Sequence, residues 1–342
     1  MSAAPVRGPL RWLTETQVAD LVDINDAMAA LRVGFVEEAD GIARTVDKAL
    51  GTWEGGAMHA LGSMMPNEHF AGFKTWAHTA AGATAIYALF DMRNGRLLSV
   101  LEAATLGQIR TSAVSGLGAD LLAPPEADEM AIIGTGAQAL TQVAAVTTVR
   151  PIRRLRVFSR RAEPRAAFVQ RAREAFGIEV IDSPTIEAAV DGVPLVTLIT
   201  RSSEPFLTAG MLAPGALVIA AGAILPAQAE CHRDVLRGSG LVVVDSLGNA
   251  QRGSRELRDH FGEGADGWSG VRPLGAILRD GVTRPAGSAF TFFKPMGSGL
   301  SDLAVATMAH ERAKDRGVGL IIDQPSRVMP KWRAATAAPM EI

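Results

Sequence analysis

The sequence has almost no cysteine. Cys231 is the only one in 342 residues, so no disulfide can close within the chain and no cysteine-based zinc site can form. A reducing, cytoplasmic setting is the expectation. Histidine is scarce too, with six residues at no ligand spacing, and no carboxylate cluster stands out, so no metal is expected. Net charge is nearly absent: 34 basic against 36 acidic side chains leave −2, which offers no field to nucleic acid or an anionic membrane. Long apolar runs are also missing. The most apolar stretch, residues 213–226, is too short to span a bilayer and is bounded by Pro214 and Pro226; it reads as a buried strand with its flanks. Residues 1–9 lack the apolar core of a secretion signal, and no repeat or low-complexity tract interrupts the chain.

What is present is enough chain for two domains of ordinary size with a large core. Thr14-Glu15-Thr16-Gln17 fits a capping box, and Val18, Leu21, Val22, Ile24, Met28, Leu31 and Phe35 recur at helical spacing. Residues 41–100 change to short apolar runs broken by glycines, with a hairpin predicted around Asn94-Gly95. A helix predicted over 106–122 ends before Pro124-Pro125, the first domain boundary. Beyond it, strands at 130–133, 155–158, 179–181, 195–199, 217–220 and 241–244 alternate with helices over 137–147, 165–176 and near Ile186. That alternation predicts an α/β fold with a parallel, doubly wound sheet. A last helix is predicted over 302–314, with Asp302 as its cap.

The turn Gly134-Thr135-Gly136-Ala137-Gln138-Ala139 follows a strand and opens a helix, the placement of a Rossmann-type dinucleotide fingerprint. The first glycine permits the tight turn, the second lets backbone approach a pyrophosphate, and Ala139 allows close helix–strand packing. The second strand of such a unit ends where the adenosine ribose lies. An acid there suits the free 2′-hydroxyl of NAD(H); this sequence has Ser159, Arg160 and Arg161, which suit a 2′-phosphate. NADP(H) is therefore the preferred cofactor, with NAD(H) as the alternative and a solvated basic loop as the reading that needs no ligand.

Around that turn the chain resembles the ornithine cyclodeaminase/mu-crystallin family. The resemblance rests on Arg44-Thr45, Met65-Pro66, Lys74, Arg110-Thr111-Ser112-Ala113-Val114-Ser115, the glycine turn, Gly222 with Glu230, Val244-Asp245-Ser246, and Phe293-Lys294-Pro295-Met296-Gly297 with Asp302, in that order. It implies a Rossmann-type domain, 125–299, inserted into a discontinuous α+β domain, 1–124 plus 300–342, that carries substrate and makes a homodimer.

The resemblance also implies that Arg44, Lys74 and Arg110 hold the carboxylate of a small imino or amino acid beside the nicotinamide. Guanidinium and ammonium groups suit that task, since hydride transfer needs the α-carbon held in a near-attack geometry. Lys74, with a pKa lowered by burial among cations, is the first candidate for proton donor, and His78, on the same strand face if the segment is a strand, is the second. Met65 and Ile224 join the substrate-binding set; Thr111, Gly134, Thr135, Gly136, Ala137, Gln138, Ser159, Arg160, Arg161, Thr200 and Gly297 form the cofactor-binding set. Ser112 and Asp302 are plausible supporting contacts, and Met64, Met65, Trp76 and Phe293 are expected to set the pocket's size. Cyclodeaminases of the family place an aspartate where this chain has Ile224; an isoleucine cannot pair with a distal ammonium, which favours a substrate without one. The resemblance thus points to an NADP(H)-dependent imine (ketimine) reductase or amino-acid dehydrogenase. An NAD-dependent cyclodeaminase or ammonia-lyase acting on a diamino acid, and a non-catalytic binding protein like the crystallins, remain the alternatives.

Overall fold

Thr14 caps the first helix as the sequence predicts, its hydroxyl accepting from the Gln17 N–H while the Gln17 side chain accepts from the Thr14 N–H. Apolar spacing alone predicts one helix through Phe35, whereas the chain breaks at Val22. There Asp23 accepts from the Asp26 N–H and starts a second helix. A short polar side chain offers the backbone a competing partner that apolar periodicity does not register.

The computed structural model describes residues 8–287 and 289–325. Strand β1 (Leu10–Leu13) leads to α1 (Glu15–Leu21) and α2 (Ile24–Ala39), and then to β2 (Arg44–Trp53), β3 (Gly56–Met65), β4 (Phe70–Thr79), β5 (Gly82–Asp91) and β6 (Arg96–Glu102). The expected hairpin at Asn94-Gly95 joins β5 to β6, with Gly95 at φ +72°. Helix α3 (Ala104–Leu122) follows, and the Pro124-Pro125 pair ends it. The second half alternates: β7 (Glu129–Ile133), α4 (Ala139–Val149), β8 (Arg154–Phe158), α5 (Ala162–Phe176), β9 (Glu179–Asp182), α6 (Ile186–Val190), β10 (Leu195–Leu198) and β11 (Leu217–Ala220). Next come α7 (Arg233–Arg237), β12 (Ser239–Val244), α8 (Leu247–Gly253), α9 (Arg255–Phe261), β13 (Val271–Pro273), α10 (Leu274–Asp280), β14 (Phe290–Lys294), α11 (Gly299–Arg316) and β15 (Leu320–Ile322).

Two sheets result. The first is mixed, in the order β15-β1-β6-β5-β4-β3-β2, antiparallel throughout except for the β1–β6 pair. The second is parallel, in the order β13-β12-β14-β11-β10-β7-β8-β9. Chain order reverses between β7 and β10, which opens a crevice at the C-terminal strand edge. Strands β10 and β11 are buried on both faces, as parallel strands covered by helices must be. Their alternate residues feed different cores. Met130, Ile132, Leu217 and Ile219 face the core shared with α2, α3 and α11, while Ala131, Ile133, Val218 and Ala220 face the opposite one.

Helix α3 is buried on most sides. Glycines let it approach three different partners. A Cβ on Gly107 would meet Lys74 Nζ at 2.7 Å, on Gly116 the Met28 sulfur at 2.8 Å, and on Gly118 the Phe293 ring at 2.4 Å. Glycine inside a helix costs about 1 kcal/mol against alanine, and here it allows contacts that no larger residue would permit. Helix α4 starts at Ala139, two residues later than expected, because Gly134 takes φ +113° and the turn runs through Gln138. Helix α11 starts at Gly299, capped by the Ser298 hydroxyl, so Asp302 is not its cap; it lies one turn in, with its carboxylate facing the first sheet.

Candidate active site

Three charged side chains from three elements meet under α11. Lys74 projects from the middle of β4, Arg110 from the second turn of α3, and Asp302 from the first turn of α11. Lys74 Nζ donates to Asp302 Oδ1 at 3.1 Å, and Arg110 Nε lies 3.2 Å from the same oxygen. Lys74 is 6% exposed and Asp302 is fully buried. Glu15 sets the helix that carries Arg110: its carboxylate accepts from the N–H groups of Ala104 and Thr105 at 2.8 and 2.6 Å, capping an α3 terminus with no cap of its own. Burial holds the Lys74 ammonium below its ordinary pKa; Asp302 and Glu15 pull upward, and Arg110 adds to the depression.

Arg110 also fixes the site against the parallel sheet. A Cβ on Gly297 would meet Arg110 Nη1 at 2.5 Å, and Gly297 itself sits at φ +83°. Buried Asp245, just past β12, accepts from the N–H groups of Met296 and Gly297 at 2.7 and 2.8 Å and so holds that loop. The charge cluster therefore lies at the C-terminal strand edge, on the same side as the glycine turn.

Gly134 has no room for a side chain, with the Ile199 carbonyl 2.6 Å from where its Cβ would be. Gly136 faces open space, and α4 begins without a side-chain cap; the Ala139 N–H turns back to the Gly136 carbonyl at 3.0 Å, which leaves the N–H groups of Leu140 and Thr141 to a phosphate. Thr135 donates to the Ser159 hydroxyl at 3.1 Å, joining the turn to the end of β8. Arg160 and Arg161 are exposed and form no ion pair among the described residues. Two of their basic neighbours are occupied: Arg150 donates to the carbonyls of Asp120, Ala123 and Pro124, and Arg154 pairs with Glu179 at 2.8 Å. Thr200 spends both its N–H and its hydroxyl on the buried Glu230 carboxylate, whose other oxygen accepts from Gly222 and Ala223. These residues fit a dinucleotide laid across the crevice.

Other predicted residues fall elsewhere. Arg44 pairs with Met64, a register that puts both on the sheet face away from Lys74, and Arg44 is exposed with no ion pair among the described residues. His78 does share the Lys74 face, four residues along at the open end of β4, and stacks on His59 at 5.3 Å. At about 3.3 Å per residue that is some 13 Å from Lys74. Met65 and Phe293 are core residues, and Ser112 is buried with its hydroxyl turned back onto the Gln108 and Ile109 carbonyls. Thr111 likewise donates to Gly107, with its helix partly covering it. Ile224 is 40% exposed on the loop after β11, at the rim of the crevice. Among the described residues no group of three or more His, Cys, Asp or Glu is placed to hold a metal.

Sequence reasoning missed Lys48. Between Val46 and Ala49 strand β2 bulges, so Asp47 and Lys48 together oppose the single residue Leu61, the cross-strand neighbour of Lys74. Lys48 Nζ then lies 5.6 Å from the centre of the Trp76 ring, with Lys74 Nζ 5.4 Å from the same ring. Without the bulge Lys48 would pair with Ala60 and point away, and nothing in the local sequence announces the extra residue.

The profile of the ornithine cyclodeaminase/mu-crystallin family matches residues 11–317. A Δ1-pyrroline-2-carboxylate reductase of Bacillus cereus is 31% identical over 236 residues, covering 68% of this chain and 72% of its own. The ketimine reductase mu-crystallin of Mus musculus is 28% identical over 227 residues, covering 65% and 67%. An archaeal alanine dehydrogenase, solved as a dimer with bound NAD, superposes with a TM-score of 0.86 at 26% identity over 92% of this chain and 99% of that one.

Proposed function

The chain belongs to the ornithine cyclodeaminase/mu-crystallin family, and from that premise we propose that it reduces the C=N bond of a small imino acid with NADPH. It is a pyridine-nucleotide-dependent oxidoreductase acting on carbon–nitrogen bonds, in keeping with relatives that carry reductase names. The observation that carries the finer reading is the convergence of Lys74 and Arg110 on one buried carboxylate beside the crevice of the parallel sheet. A substrate carboxylate would be oriented by Arg110 and Lys74, which places the α-carbon toward the crevice. When bound, the nicotinamide supplies the hydride. Lys74 holds a proton at Nζ for the substrate nitrogen, and Asp302 keeps that proton on by opposing the effect of burial. Gly134, Gly136, Thr135 and the open end of α4 would carry the pyrophosphate, and Ser159, Arg160 and Arg161 the ribose phosphate. Ile224 offers no acceptor for a distal ammonium, which weighs against cyclodeamination.

The chain would act as a homodimer through the other face of the first sheet, where Trp53, Met58, Phe73 and Ile86 are 37–58% exposed. No helix among the described residues is long and apolar enough to cross a membrane, and a cytoplasmic place is part of the same proposal. The two-domain division, 1–124 plus 300–342 around 125–299, is part of the same proposal and is supported by the separation of the two sheets, with residues 1–7 and 326–342 outside the described residues.

The decisive assay follows NADPH and NADH absorbance with Δ1-pyrroline-2-carboxylate and with 2-oxo acids plus ammonium. Turnover of at least one imine with NADPH is expected, as is a preference for NADPH that Arg160→Asp reduces by about tenfold or more. Unchanged preference in that variant would refute the phosphate assignment. Ammonia release from a diamino acid with no net absorbance change would replace reduction by cyclodeamination.

A further inference from the structure

The charge cluster holds more positive charge than one α-carboxylate requires. Lys74 and Arg110 share Asp302. Lys48 has no carboxylate within ion-pair distance among the described residues, and its contact is the Trp76 ring. Its neighbour Asp47 turns outward to Arg252 at 3.2 Å. Glu15 is committed to the N–H groups at the start of α3, and Asp245 to those of Met296 and Gly297. Lys48 is half-buried, and both burial and Arg110 weigh against its charge. An ammonium kept there without a partner is costly unless an anion arrives to meet it.

A second polar group beside it is also unused. His59 stacks face to face on Trp76 at 4.5 Å, is 7% exposed, and has no hydrogen-bond partner on either ring nitrogen. Buried polar atoms are almost always paired, so an orphaned imidazole next to an unpaired ammonium marks a position that a ligand completes. His78 closes the stack toward solvent. Lys48, His59, Trp76 and Lys74 all project from one face of the first sheet, so this second position adjoins the α-carboxylate clamp.

We infer that the substrate is a 2-imino dicarboxylate of four or five carbons, its α-carboxylate on Arg110 and Lys74 and its distal carboxylate on Lys48 beside the His59–Trp76 stack. The inference rests on the reductase reading for its chemistry. The reaction is then 2-imino dicarboxylate plus NAD(P)H plus one proton giving the 2-amino dicarboxylate plus NAD(P)+. Hydride forms the new C–H bond at the α-carbon, the C=N π pair takes the proton at nitrogen, and the nicotinamide is oxidised by two electrons. Lys48 plays no part in proton transfer and selects the substrate.

The test compares kcat/KM for the imines formed from oxaloacetate or 2-oxoglutarate with that for the imine of pyruvate, all with ammonium and saturating nucleotide. A charge-assisted contact of about 1.5–3 kcal/mol corresponds to a dicarboxylate preference of about 10- to 100-fold. Lys48→Met should collapse that preference toward unity through KM, and Lys48→Arg should retain most of it. A monocarboxylate preference in the wild type, or a ratio unmoved by Lys48→Met because both substrates suffer equally, overturns the inference and assigns Lys48 to the α-carboxylate. A second measurement needs no turnover: succinate and propionate are compared for their effect on melting temperature with nucleotide bound. A larger stabilisation by succinate, lost in Lys48→Met, supports the second anion position even if no imine is reduced, in which case the reductase reading alone fails. Equal effects of the two acids overturn it.

Discussion

Replacing Asp302 with asparagine separates the electrostatic role of that residue from its shape. In the native site Lys74 Nζ is 3.1 Å from a fully buried carboxylate oxygen. Two unit charges at that distance interact by roughly 5 kcal/mol at an effective dielectric of about 20. Asparagine keeps the volume and one acceptor, so about 1.5–3 kcal/mol of selective stabilisation of the ammonium should be lost. That corresponds to a fall of about 1–2 pH units in the Lys74 pKa. The sign is fixed by direction: burial already depresses Lys74, Asp302 is the largest opposing influence, and only the weaker pull of Glu15 would then stand against burial and Arg110. A lysine that must be protonated to donate loses activity as pH rises through its pKa. In Asp302→Asn the alkaline limb of the kcat/KM profile should therefore move down by about 1–2 units. The assay is NAD(P)H oxidation between pH 6 and 10 under first-order conditions in imine. An alkaline limb that stays in place while the whole profile scales down would refute the assignment, as would the same limb persisting in Lys74→Met. Urea melts should also show a loss of about 3 kcal/mol, since two buried cations are left without their shared acid.

Further outcomes follow from the same geometry. Gly136→Ala should leave the melting temperature of the nucleotide-free protein unchanged, because its Cβ would meet nothing, yet weaken NADPH binding about tenfold or more in titration; Gly134→Ala should instead lower the melting temperature, its φ of +113° being strained for alanine. Burial pushes the Glu38 carboxyl up to about 7 from 4.5, so the folded chain keeps a proton the unfolded chain releases, and stability falls as pH rises from 4.5 to 7. Burial lowers His59 from 6.5 to about 4, so the unfolded chain binds the extra proton and stability rises with pH over 4 to 6.5. Each contribution is at most about 3 kcal/mol, less for half-buried Glu38, and the two nearly cancel. Melting temperatures across pH 4.5–6.5 should be close to flat from this pair, with Glu38→Gln unmasking a rising slope and His59→Phe a falling one; wild-type slopes in both variants would refute the reasoning.

The parallel sheet was legible because its signals are local. Apolar runs, a glycine turn and the acid-free end of β8 each lie within a few residues. Lys74 and Arg110 were also readable, through the resemblance of the segments that carry them. Lys48 was not, because its direction depends on one extra residue in β2 and on which strand lies opposite. Asp302 looked like a helix cap because aspartate commonly is one, and only the Ser298 cap four residues earlier shows that α11 begins sooner. Arg44 shows the converse: its residue type suits a carboxylate, and strand register turns it away. Side-chain direction in a sheet is a matter of pairing parity, which sequence spacing leaves open wherever a bulge can enter.

The glycines of α3 bear on how the reaction distance is set. One 19-residue helix touches Lys74 through Gly107, presents Arg110, and seats Phe293 of the parallel sheet through Gly118. Arg110 and Gly118 are separated by about 12 Å of helix axis, a length that does not stretch. In the proposed reaction the helix acts as a gauge block between the surface that would orient substrate and the sheet that would carry the nucleotide. Alignment of the two reactants is thus cut into the covalent chain, and side chains on the first sheet can change what is bound without resetting how far the hydride must travel.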